Sequence, residues 1–218
     1  MLIDIHTHQV KKTIPGETYI YSRYTDFFVP VDCDYLSMGI HPWYTETDFE
    51  RQLGELEKAI SKTNVIALGE AGIDRSRGLP VEKQIKVFIR QIEIAEKYSK
   101  PVIIHCVRAF PEVISIRKEL KPSVPMIIHG FRGNKETAAA LVRSNFYLSF
   151  GAALIDHENI QDVFRTVPDE LLLLETDDAH AIPLRLLYEK AALLRSADPG
   201  IFQAQVLLNA EKCFRVSF

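Results

Sequence analysis
The histidines of this chain are not scattered. The first eight residues, Met1-Leu2-Ile3-Asp4-Ile5-His6-Thr7-His8, run through apolar positions into two histidines at i and i+2. In an extended segment alternate side chains share a face, so His6 and His8 leave one side together. The same event repeats along the chain. Short apolar runs end on or close to His41, Glu70, His105, His129 and Asp177. Neutral imidazoles and carboxylates together suit hard or borderline divalent metals, and no cysteine is placed to compete. These donors exceed the needs of one tetrahedral ion, which points to two ions. A carboxylate such as Glu70 is placed to bridge ions about 3.5–4 Å apart. Such a pair polarises an ester or phosphoryl oxygen and lowers the pKa of a bound water to about 7. Glu70 and Asp177 leave the pair cationic, which favours anionic substrates.

Strand ends converge only if the strands are parallel and the fold closes. Reading along the chain, strands are expected over Leu2–Ile5, Thr18–Ser22, Leu36–Ile40, Val65–Leu68, Pro101–Ile104, Pro125–Ile128, Phe146–Phe150 and Leu171–Leu174. Helices are expected over Phe49–Ser61, from Pro80 with a stripe of Ile85, Phe88, Ile92 and Ala95, and over Pro111–Leu120. Others are expected over Lys135–Val142 behind an Asn134 cap, around Gln161–Phe164, and over Pro183–Arg195 and Ile201–Phe214. Apolar strands without polar alternation imply burial on both faces, as in parallel sheets. Eight such strands alternating with helices predict an α/β fold, the TIM (β/α)8 barrel, in one domain over residues 1–218. Residues 9–35 are too few for two full helices with their strands, so the outer helix ring should be reduced near the N-terminus. An open doubly wound sheet is the structural alternative.

Bulk properties narrow the classes. The 218 residues are 47% apolar and 25% charged, enough for a large core, and the formal charge of −3 offers no basic footprint for a long duplex. Cys33, Cys106 and Cys213 are widely spaced and unpaired by motif, which predicts a reducing compartment. No run approaches a membrane span, and Asp4, His6 and His8 would spoil a signal peptide. A cytoplasmic protein with neither membrane association nor an obligate protein partner is expected.

Six motifs in order, D-I-H-T-H at 4–8, G-I-H-P at 39–42, G-E-A-G-I-D at 69–74, P-V-I-I-H at 101–105, I-I-H-G-F-R-G at 127–133 and L-L-E-T-D at 173–177, extend over nearly the whole chain. In them it resembles the TatD-related metal-dependent hydrolases of the amidohydrolase superfamily. The resemblance implies a TIM barrel, a binuclear divalent site (Zn, Mg or Mn) and nuclease chemistry of the 3′–5′ exonuclease type. It implies His6, His8 and Asp177 as ligands of one ion, His105 and His129 of the second, and Glu70 as the bridge. Asp177 would also take the proton of the attacking water. His41 matches a pocket histidine facing substrate phosphate or leaving group, or else it shapes the turn before Pro42.

The chain also departs from the family. It is short between His8 and Gly39, it has Cys106-Val107-Arg108 where an R-D-A sequence is usual, and Asp178-Ala179-His180 follows Asp177. Arg108 and Arg132 follow strand ends and are either phosphate grips or solvated loop residues. Trp43 and Tyr44 either stack on a base or line the rim. Asp74 is expected to orient a ligand from behind, and Asp4 either does the same or is buried beneath the site. Cys106 should point away from the site, and His157 and His180 are expected on the surface. The expected substrates are DNA ends or short oligonucleotides cut by a metal-activated hydroxide. A small ester, lactone or amide is the alternative substrate, and a non-catalytic metal-binding scaffold is the alternative class.

Overall fold
The computed structural model describes residues 1–11, 14–179 and 181–218. Eight strands are hydrogen-bonded in chain order: β1 (Leu2–Thr7), β2 (Glu17–Arg23), β3 (Tyr35–Met38), β4 (Val65–Asp74), β5 (Val102–Val107), β6 (Met126–Ile128), β7 (Tyr147–Phe150) and β8 (Leu172–Leu174). Helices follow from β3 onward: α1 (Phe49–Ile60), α2 (Val81–Lys97), α3 (Phe110–Leu120), α4 (Lys135–Arg143), α5 (Ala153–Asp156), α6 (Glu158–Phe164), α7 (Leu184–Leu194) and α8 (Pro199–Phe214). This is the (β/α)8 arrangement. Among the described residues no helix lies between β1 and β3, so the outer ring is reduced where the chain is short.

The chain clusters into two compact units, Met1–Ile20 with His129–Phe218, and Tyr21–Ile128. In the first unit β1 is buried along its whole length, and β7 and β8 run parallel. β1 meets the segment after β8 through a parallel bridge between Thr7 and Asp177. In the second unit β3, β4, β5 and β6 are joined in parallel. Burial of β1 and β4 on both faces follows from apolar runs without polar alternation, and it takes Asp4, Glu70 and Asp74 inside with them.

Two strands run further than their apolar runs. β4 continues through Gly69, Glu70 and Gly72 to Asp74, and β5 continues through His105 to Val107. The register between them shifts between Leu68 and Ala71 and then pairs Gly72 with His105. Only glycine allows this. Gly72 has φ +149° and a Cβ there would lie 2.0 Å from the His105 carbonyl oxygen. α5 is a short helix outside the expected set, and α8 begins two residues earlier than expected because Asp198 caps it from Gly200 and Ile201 N–H.

Candidate metal centre
In the first unit His6, His8 and Asp177 form a group at ligand spacing. His6 Nε2 lies 3.7 Å and His8 Nε2 3.5 Å from the same oxygen, Asp177 Oδ1. Two ligands of one tetrahedral zinc stand about 3.4 Å apart, so the spacing fits a divalent ion. Asp177 reaches this place from a left-handed backbone (φ +50°), with its N–H donating to His6 carbonyl oxygen at 2.9 Å. Asp4 lies beneath, fully buried, and accepts from the Thr176 hydroxyl at 2.6 Å, from Thr176 N–H at 3.0 Å and from Lys11. It anchors β1 to the loop that carries Asp177.

His129 joins Glu175 and Asp177 in a second group of the same unit. Glu175 Oε1 lies 3.2 Å from His129 Nδ1, and its ring stands 4.3 Å from that of His6. A buried carboxylate on Nδ1 fixes the proton there and leaves Nε2 as a lone pair for a metal. Glu175 is fully buried, and its Oε2 has no hydrogen-bond partner. An uncompensated buried carboxylate oxygen is costly, and a cation relieves that cost. Glu175 belongs to the L-L-E-T-D motif at 173–177 but is not among the expected ligands. Its position two residues before Asp177 was the available signal.

In the second unit His41, Glu70 and His105 form a third group. Glu70 Oε1 lies 2.7 Å from His105 Nδ1 and 3.2 Å from His41 Nε2, and the two nitrogens are 3.3 Å apart. His41 Nδ1 accepts the Trp43 N–H at 3.1 Å, so its proton is on Nε2, toward Glu70. His105 Nε2 faces Asp74 Oδ2 at 3.1 Å. That contact holds a proton on Nε2 and turns the Nδ1 lone pair toward Glu70. A carboxylate oxygen facing an imidazole lone pair is repulsive unless a proton or metal ion lies with them. The donor chemistry of the first two groups therefore fits a divalent metal; in the third, where His41 carries its proton on Nε2, Glu70 and the His105 Nδ1 lone pair are the donors that remain for one.

The remaining expected residues are placed as follows. Trp43 is 37% exposed and donates its indole N–H to Asp74 Oδ2 at 2.6 Å. Arg108 and Arg132 are exposed, and Arg132 lines a cleft beside the start of α4 with Asn134, Lys135 and Asp162. Cys106 is half-buried, and burial pushes its thiol up to about 12, so it stays protonated at neutral pH. His157 is exposed and pairs with Asp156 at 3.5 Å. His180 lies outside the described residues.

Known proteins resemble this chain in sequence and in fold. The family model described as TatD related DNase matches residues 32–215. An uncharacterized metal-dependent hydrolase of Escherichia coli K12, YcfH, is 31% identical over 80% of this chain and 65% of its own length, a little under two thirds of that relative. The 3′-5′ ssDNA/RNA exonuclease TatD of Erwinia tasmaniensis is 26% identical over 82% of this chain and 77% of its own. The crystal structure of the Escherichia coli TatD homologue YjjV superposes with a TM-score of 0.84 at 21% identity, covering 99% of this chain and 98% of that one. The chain shares that fold, and by the extent of the family match it belongs to the TatD-related DNase family.

Proposed function
We propose that this chain is a divalent-metal-dependent hydrolase, one catalytic domain, that cuts phosphodiester bonds at DNA ends or in short oligonucleotides. The observation that carries it is the set of imidazoles and carboxylates at ligand spacing, with His105 and His129 each braced by a carboxylate. The name of the Erwinia relative supports the nuclease class and 3′–5′ polarity.

His6, His8 and Asp177 would hold one ion. The family resemblance gives His105 and His129 to a second ion and makes Glu70 the shared ligand, with Zn, Mn or Mg as the metal. Bound there, divalent ions supply Lewis-acid polarisation and a water acidic enough to attack at neutral pH. Asp177 would take the proton of the attacking water. His41, with its proton on Nε2, donates toward a phosphate oxygen or the leaving group. Arg108 and Arg132 grip phosphate, and Trp43 borders the entering strand. The three free cysteines and the lack, among the described residues, of any helix long and apolar enough to cross a membrane support a cytoplasmic setting.

The test is metal content after supplementation, paired with hydrolysis of a 5′-labelled single-stranded oligonucleotide and of carboxylic esters. About two ions per chain with stepwise loss from the 3′ end is the expected result. Cleavage confined to esters, lactones or amides would keep the metal centre and overturn the substrate. No bound metal would overturn the reading entirely. Arg108→Ala and Arg132→Ala should raise KM for the oligonucleotide, and an unchanged KM removes those two roles.

A further inference from the structure
Beside His41 stands an aromatic pair that the catalytic reading does not use. Tyr24 directly follows β2, and Tyr44 lies in the turn after β3 that is closed by Tyr44 N–H on the His41 carbonyl oxygen at 3.0 Å. Their rings are parallel, 2° between planes with centroids 4.8 Å apart. Tyr44 is 41% exposed and Tyr24 is half-buried, so the pair presents its aromatic surface to solvent. The buried phenylalanines meet differently, edge to face, at 68° for Phe131–Phe150 and 83° for Phe150–Phe164. The His41 ring lies 5.8 Å from Tyr24 and 5.7 Å from Tyr44, and its Nε2 is 3.2 Å from Glu70. One imidazole thus separates the pair from a candidate metal ligand. The family match begins at residue 32, so Tyr24 comes from a segment outside it.

We propose that Tyr24 and Tyr44 form a nucleobase subsite on which an unpaired base of the substrate strand stacks, next to His41. The inference rests on the nuclease reading and deepens it. Every base offers a π-face, so such a platform takes any sequence but requires the base to be unpaired. Each base removed from such a stack weakens binding about ten-fold or more. A duplex end would have to fray before it could be used.

The experiment compares oligonucleotides that end at 3′ in adenosine, thymidine or an abasic tetrahydrofuran residue, using metal-loaded wild type, Tyr24→Leu, Tyr44→Leu and the two Phe variants. For wild type, kcat/KM should fall in the order adenine, thymine, abasic, with about a ten-fold span. The base-to-abasic ratio should drop toward one in the Leu variants and persist in the Phe variants, which keep the ring. Fluorescence of a 3′-terminal 2-aminopurine should be quenched on binding wild type and less quenched by the Leu variants. A wild-type ratio near one, or a ratio that survives Leu substitution, overturns the subsite and leaves the nuclease reading standing. Absence of any oligonucleotide cleavage by wild type overturns both. Should a Leu variant fail to fold, the wild-type ratio and 2-aminopurine quenching still decide the matter.

Discussion

Asp74 gathers four hydrogen bonds. Its Oδ1 accepts Ser76 N–H at 2.7 Å and the Ser76 hydroxyl at 2.5 Å, and its Oδ2 faces Trp43 Nε1 at 2.6 Å and His105 Nε2 at 3.1 Å. Burial acts to raise its pKa, and the hydrogen bonds from Ser76, Trp43 and His105 outweigh it, leaving the carboxyl at about 2. It is therefore an acceptor only, and it aims His105 by fixing one ring proton. Asp74→Asn should weaken metal binding by about 10–100-fold while the fold survives. Titration against a chelator of known affinity checks this, and wild-type affinity in the variant would mean that His105 is oriented by something else. Trp43→Phe, which removes one of the four donors, should have the same sign and a smaller effect. Much of this scale was legible in the sequence. His6 and His8 declared themselves by alternation after an apolar run, and Asp74 by closing the Glu70 motif. Tyr24 did not, because its partners Tyr44 and His41 are distant in the chain and nothing in its own neighbourhood marks it.

The strands that carry these residues are held from outside by side-chain amides and a phenol. On α2, Gln91 Oε1 accepts Ile40 N–H at 2.7 Å and its Nε2 donates to the Ile40 carbonyl at 3.1 Å, next to His41. One heptad earlier, Gln84 makes the matching pair with the Asp74 backbone at 2.7 and 3.0 Å. In the other unit, Tyr188 on α7 bonds both N–H and carbonyl of Ile3 at 3.1 and 2.8 Å. Asn209 on α8 donates to the Leu172 carbonyl at 2.9 Å. Backbone groups of these strands and of the residues after them are thus bonded by side chains of the helix beside them. Gln91→Leu would leave two buried backbone groups unpaired and should cost about 1–3 kcal/mol, read as a fall in the urea midpoint with unchanged slope. It should also lower kcat through His41. Asn134→Ala, which removes the cap bond to Thr137 N–H at 2.9 Å, should cost about 1 kcal/mol and leave kcat alone. A Gln91→Leu protein as stable and active as wild type would refute the bracing role. The Asn134 cap could be read from the sequence, and the α2 face in part, since Phe88, Ile92 and Ala95 are buried. Its expected stripe included Ile85, yet Ile85 is half-buried, and Gln84 and Gln91 take core positions beside Phe88 and Ile92. Periodicity counts apolar residues, so it misses a glutamine whose burial is compensated by backbone groups on another element.

Across the whole molecule, metal binding and folding should be linked but separable. Each unit has its own apolar core: Ile3, Ile5, Leu148, Leu173 and Leu174 are buried in one, and Val65, Leu68, Phe88, Ile103 and Ile104 in the other. Neither depends on an ion to bury its strands, unlike a zinc finger, so the chelated protein should stay folded. It should nevertheless be less stable, because the buried Glu175 Oε2, which has no hydrogen-bond partner, is then left without the cation it suits. An ion that binds only the folded chain adds about 2.7 kcal/mol at a hundred-fold excess over its Kd. For a chain of this size that raises Tm by roughly 5–10 °C. Calorimetric scans of the EDTA-treated protein, repeated with increasing Zn, Mn or Mg, should show one cooperative transition moving upward with the logarithm of free metal. Asp177→Ala and Glu175→Ala should each flatten that dependence. A transition that ignores all three metals would mean that the strand-end donors are satisfied by protein groups alone. A chelated protein without any cooperative transition would instead show that the cores do not suffice, and that the ions hold the chain together as well as serving its chemistry.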